Sequence, residues 1–301
     1  MWTTNQQSPN PATSYITEIE RNPPVRDHAM SSLKSILIIT ALGFAQAASA
    51  QVVQPIPAPA PTRPALPIGY LTPETWPDAA KILPLPPTTG SAREAVDQDV
   101  FRATRALEGT PRWAMAQADV PTQPDALLKG FSCAVGVDLS AQIAPKLTML
   151  LNRTAIDMGR QVSAVKDVFK RKRPYLIEAG KICVPPSVML DASPDYPSGH
   201  STWGWSMSLI LAELAPDRVT PILNRGRAYG ESRVVCGVHS PSAVDAGRTN
   251  GASLIATLHS QAAFRADLEA AREELAALKA KAAPMPANCA ASLALDAQAV
   301  F

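Results

Sequence analysis

The stretch from Ala144 to Lys172 constrains the fold more than any other part of the chain. Within it Leu151, Met158 and Val165 recur every seven residues, as do Ala155, Val162 and Phe169. Seven residues make almost two helical turns, so each series keeps to one face. The spacing predicts one long helix with a buried stripe, ended by Pro174, because a residue before proline avoids helical angles. A stripe of that length has to be covered by other elements.

Those elements are legible from Ser91 onward. "SARE" is a capping box, with Ser91 as N-cap and Glu94 three residues on, and Val96, Val100, Ala103 and Leu107 follow at helical spacing. A second helix is expected over 124–135. "STWGWSMSLILAELAP" gives another, with Trp203, Met207, Ile210, Leu211 and Leu214 on one face and Pro216 as its stop. Residues 218–230 and 241–259 read as helices. So does 261–283, by propensity and by an apolar edge of Phe264, Leu268, Leu275 and Leu278. No alternating strand pattern and no internal repeat occurs. The expectation is an all-α fold: a single helical domain over 89–282, followed by a C-terminal tail, 283–301.

The N-terminal third is different. Residues 55–67, "PIPAPAPTRPALP", hold six prolines in thirteen positions, and a segment of that kind cannot form a core. Residues 51–88 are therefore read as a Pro-rich irregular arm. From Met30 the chain reads as a signal peptide, 30–50: Lys34 is its basic start, Ile36 to Phe44 its apolar run, and Ala48-Ser49-Ala50 its cleavage site. Residues 1–29, polar and without periodicity, read as an upstream extension. Cleavage near Ala50 would leave a periplasmic or secreted chain beginning at Gln51. Beyond that point no run of 18 apolar residues exists, so no membrane span is expected. A formal net charge of +2 over 301 residues argues against nucleic acid as a partner. Export makes disulfides available to Cys133, Cys183, Cys236 and Cys289, and four cysteines allow three pairings. No C-x-x-C pair occurs, so no structural zinc is expected, and no cofactor is expected either.

Three clusters carry chemistry. "KDVFKRKRP" places Lys166 and Arg173 seven apart, which predicts both on one face at the end of the long helix. "YPSGHSTWGW" puts Ser198 at an N-cap, with Gly199 and His200 in the first turn, where unpaired N–H groups attract anions. "ESRVVCGVHSPSAVDAGR" contributes Arg233, a planar fork suited to phosphate oxygens, and His239, just ahead of a helix capped by Ser240 and opened by Pro241. Taken singly, each cluster is also a plausible basic helix end or helix cap. Taken together, they offer three cations for a tetrahedral oxyanion and two histidines for attack and protonation. Of the other two histidines, His28 precedes the signal peptide and His259 falls late in a helix.

K-x6-R-P over Lys166–Pro174, P-S-G-H over Pro197–His200 and S-R-x5-H over Ser232–His239, in that order, are the signature of the type 2 phosphatidic acid phosphatase superfamily, which also holds the vanadium haloperoxidases. The chain most resembles the class A bacterial non-specific acid phosphatases, over about residues 82–278, including "GTPRW" and "YPSGHSTWGWSMSLILAEL". The resemblance implies an all-helical, secreted, metal-independent acid phosphatase, often homo-oligomeric, acting on small-molecule phosphate monoesters. It implies His239 as a nucleophile that forms a phosphohistidine and His200 as general acid. Lys166, Arg173, Ser198, Gly199 and Arg233 would bind the phosphate. It also favours a Cys183–Cys236 bridge, which leaves Cys133 with Cys289.

One position departs from the family. The third motif continues H-x3-D, and here Ala243 stands where the aspartate would orient the nucleophilic ring. Asp245 lies two residues on, about 200° around a helix, and is expected to face away. Loss of the orienting acid from a comparable triad costs roughly 10³ to 10⁴ in rate. The expectation is therefore a complete phosphate site with a weakened nucleophile. Two alternatives accompany it: a non-catalytic periplasmic phosphate-binding protein, and a vanadate-dependent haloperoxidase.

Overall fold

A computed structural model describes residues 68–281 and 285–301 of the chain. The upstream extension, the signal peptide and residues 51–67 of the arm lie outside the described residues. Within them the fold is all-α, with no strand. Its helices are α1 (Ala79–Ile82), α2 (Ala92–Thr104), α3 (Pro111–Ala118), α4 (Pro124–Val135), α5 (Pro145–Phe169), α6 (Val188–Ala192), α7 (Gly199–Leu214), α8 (Val219–Val235), α9 (Pro241–Leu258), α10 (Ala262–Ala280) and α11 (Cys289–Ala297).

Helix α7 is the axis of the fold, flanked by α8 and α9 and touched by α5 and α10. Its Met207, Ile210 and Leu211 are fully buried, with Leu147 and Leu150 of α5, Ile222 of α8 and Leu254 of α9 in the same core. Glycines let the three motif-bearing helices approach closely. A Cβ at Gly204 would lie 2.4 Å from the Tyr229 ring, and one at Gly247 would lie 2.7 Å from the Ser198 carbonyl. No larger residue fits at either place, so α8 and α9 close on the start of α7 from two sides.

The long helix is shorter than its pattern suggests. It ends at Phe169, where Lys170 takes a left-handed conformation (φ 47°) and its N–H closes on the Lys166 carbonyl. The apolar stripe stops there, and residues 170–173 are all cationic, which gives no packing reason to extend the helix. Arg173 is extended at the N-cap of a 3-10 turn, as a residue before proline should be. Half of the capping box at Ser91 forms: Ser91 Oγ accepts from the Glu94 N–H at 3.2 Å, but the Glu94 carboxylate reaches one residue further back and accepts from the Gly90 N–H at 2.6 Å, while the Ser91 N–H bonds the Thr88 carbonyl.

The two bridges are Cys183–Cys236 and Cys133–Cys289. The first ties the loop before α6 to the end of α8. The second fastens the C-terminal segment, which holds α11 and docks on α4 and α8. At the other end Tyr70 and Leu71 enter the core, and both backbone N–H groups donate to the buried carboxylate of Asp157 on α5.

Candidate active site

The three motifs meet at one cavity of about 470 Å³. Lys166, Arg173, Gly199, His200, Arg233 and His239 line it, together with Ser193 and an apolar wall that includes Leu127, Leu151, Met158 and Trp203. No carboxylate is among the lining residues. Ser198 is fully buried, and its Oγ caps α7 by accepting from the Ser201 N–H. That cap takes the Ser201 N–H and leaves the earlier N–H groups of the first turn without an intrahelical partner.

Lys166 and Arg173 do not share a helical face, because α5 ends between them. They converge through Ser193 instead. Lys166 Nζ donates to Ser193 Oγ at 3.1 Å, Arg173 Nη2 donates to the same oxygen at 3.2 Å, and Arg173 Nε donates to the Ser193 carbonyl at 2.7 Å. Arg233 has no such anchor. Its Nε and Nη1 are buried without a hydrogen-bond partner, in a residue only 3% exposed. Burial, then the neighbouring cations, pull Lys166 down to about 8. Burial likewise pulls Arg233 down to about 10. Three buried cations thus converge on the cavity, and Arg233 still has donors to offer an anion.

The partners of His239 fix its tautomer. Arg173 Nη1 lies 3.1 Å from Nε2, and a guanidinium can only donate, so Nε2 is the unprotonated nitrogen. Nδ1 then carries the proton and gives it to Asp195 Oδ1 at 2.9 Å. Burial and the three cations hold the imidazole well below its ordinary value, which keeps the ring neutral. This corrects the expectation that Ala243 leaves the ring unheld. A carboxylate does hold it, and it comes from the loop before α7 rather than from α9. Ala243 itself is fully buried in an apolar cluster with Tyr196 and Ala246. Asp245 faces away, as its spacing predicts, and pairs with Arg248.

His200 is fixed differently. Its Nε2 donates to the Val120 carbonyl at 3.0 Å, and its ring stacks on Tyr229 with centroids 5.9 Å apart. Nδ1 is therefore the nitrogen left for a ligand. Desolvation, then Arg233, hold this ring too well below its ordinary value. His259 pairs with Glu213 at 3.1 Å and has no part in the cavity.

Three residues of the site went unread in the sequence: Asp195, Ser193 and Arg171. Arg171 looked like one more cation in a basic run. It bridges two acids, Asp97 of α2 at 2.8 Å and Asp195 at 3.3 Å, and donates to Ser240 Oγ and Ser242 Oγ at 2.7 Å each. The one available signal for Asp195 was an acid three residues ahead of the Ser198 cap, a weak cue without the fold.

The sequence profile of the PAP2 superfamily matches residues 146–267. An acid phosphatase of Zymomonas mobilis is 42% identical over 191 residues, covering 63% of this chain and 72% of that protein. The non-specific acid phosphatase of Providencia stuartii is 34% identical, over 67% of this chain and 82% of that one. That of Salmonella typhimurium is 32% identical, over 68% and 83%. A solved bacterial vanadium-dependent iodoperoxidase is 17% identical, with a TM-score of 0.47, over 61% of this chain and 53% of that one.

Proposed function

The chain belongs to the PAP2 superfamily, among the bacterial non-specific acid phosphatases, and from that membership we propose that it hydrolyses small phosphate monoesters through a covalent phosphohistidine. Lys166, Arg173 and Arg233 take the phosphoryl oxygens, joined by Gly199 at the head of α7, whose first turn Ser198 caps. His239 Nε2 attacks phosphorus in line with the ester oxygen, and the P–O bond breaks as the N–P bond forms. His200 Nδ1, when protonated, gives its proton to the leaving oxygen. The same nitrogen then takes a proton from the water that attacks the phosphohistidine, releasing phosphate and restoring both rings. The cations gain most from the transition state, where charge on the equatorial oxygens is closest to them.

The observation that carries this reading is that Arg233, with unpaired donors, and His239, with an unprotonated Nε2, line the same cavity. The two disulfides suit an oxidising compartment, in keeping with export to the periplasm or the medium. The carboxylate of Asp195 on His239 Nδ1 favours turnover over the alternative of a binding protein without it. Rapid quenching with a ³²P-labelled monoester should trap an acid-labile, base-stable adduct on a peptide containing His239. A His239→Asn chain should give none. Full turnover without any trapped label, or label on His200, would defeat the assignment.

A further inference from the structure

We infer that Asp195 is the positioning carboxylate of the nucleophile, moved from the α9 site that Ala243 now occupies to the loop before α7; this rests on the phosphatase reading above. The two positions are neighbours in space though 48 apart in sequence. The Ser198 N–H donates to the Ala243 carbonyl at 2.9 Å, so the loop runs directly along the first turn of α9. Tyr196, next to Asp195, fills the apolar cluster around Ala243. The family resemblance puts the carboxylate on the α9 side of this junction; here the loop side supplies the one that bonds Nδ1 of His239.

Asp195 is built for the task. It is fully buried, and its two oxygens have four partners. Oδ1 accepts from His239 Nδ1 at 2.9 Å and from the Ser240 N–H at 3.1 Å. Oδ2 accepts from Ser240 Oγ at 2.6 Å and lies 3.3 Å from Arg171 Nη1. Arg171 is in turn locked to Asp97 and to the hydroxyls of Ser240 and Ser242. A carboxylate so held cannot swing away from the ring, and Arg171 offsets its charge. A structural ion pair would need no histidine. This carboxylate sits on the one ring nitrogen that must hold a proton for the other to attack.

The experiment compares Asp195→Asn, Ala243→Asp and His239→Asn with the parent chain, using an aryl phosphate. Asp195→Asn is expected to lower kcat by roughly 10³ to 10⁴ while KM and inorganic phosphate binding stay within a few-fold, because the cations are untouched. Ala243→Asp alone is expected to give no gain, since a second carboxylate beside the first repels it. A kcat within tenfold of the parent for Asp195→Asn, or a rise for Ala243→Asp, overturns the inference. Should Asp195→Asn not fold, ¹⁵N NMR of the parent decides. The Nδ1-protonated tautomer with a proton shifted downfield is expected, and the Nε2 tautomer overturns it. His239→Asn separates the two levels: if it still turns over, the phosphohistidine reading fails; if it is dead while Asp195→Asn is unimpaired, only the role of Asp195 fails.

Discussion

One hydrogen bond limits what His200 can do in the proposed mechanism. Because Nε2 donates to the Val120 carbonyl, only Nδ1 would be free for the leaving group, and it would act there as imidazolium. Desolvation and Arg233 oppose that charge and hold the ring well below 6.5, so the free enzyme carries the acid only at low pH. A bound phosphate reverses the balance by supplying negative charge beside the ring. The sign follows: kcat/KM should fall as pH rises, with an apparent pKa below 6.5, and a pH–rate profile on an alkyl phosphate reads it directly. His200→Asn should cost about 10² to 10⁴ on an alkyl phosphate and far less on p-nitrophenyl phosphate, whose leaving group needs no proton. Equal losses on both esters would remove His200 from the acid role.

Among the elements, α11 is the one whose docking should depend most on pH. It brings Asp296 against Arg225 at 3.5 Å, but the Arg225 fork is already taken by Asp119, and neither Asp296 oxygen has a hydrogen bond. Burial raises Asp296 to about 6. A folded-state value above the unfolded one, near 3.9, means the folded chain takes up a proton between about pH 4 and 6, so stability is lost as pH rises through that window. A rise of that size corresponds to at most about 3 kcal/mol. Asp296→Asn should therefore be nearly neutral at pH 4 and more stable than the parent by up to that amount at pH 7, in urea unfolding across the pH range. A difference independent of pH would clear Asp296 of the effect. The same helix marks the limit of what the sequence made legible. Helices with a stripe or a cap, such as α2, α5, α7 and α9, could be read from local pattern, whereas Lys166, His200, Arg233 and His239 were picked out by the three motif clusters and their resemblance to a family. The end of α5 was misplaced because proline marks where a helix must stop, not where its packing gives out. Asp195 escaped because its partner lies 44 residues away, across a junction of two loops that no local period encodes.

For the molecule as a whole, the cavity is a point of stored instability. Arg233 is buried in the last turn of α8 beside Lys166 and Arg173, with two N–H groups unpaired and no salt bridge among the described residues. Such a group costs folding free energy until an anion arrives. Inorganic phosphate at a hundred times its Kd should add about 2.7 kcal/mol and raise Tm by roughly 5 to 10 °C. Arg233→Met keeps the volume of the stem and deletes the stranded charge. Its ligand-free form should be more stable than the parent by about 1 to 2 kcal/mol, while the phosphate-induced rise in Tm disappears. Calorimetry of both chains with and without phosphate tests the two halves together. If the substituted chain melts lower than the parent when empty, the guanidinium is supporting the fold rather than waiting for a ligand. If it still gains the full rise with phosphate, the anion binds elsewhere.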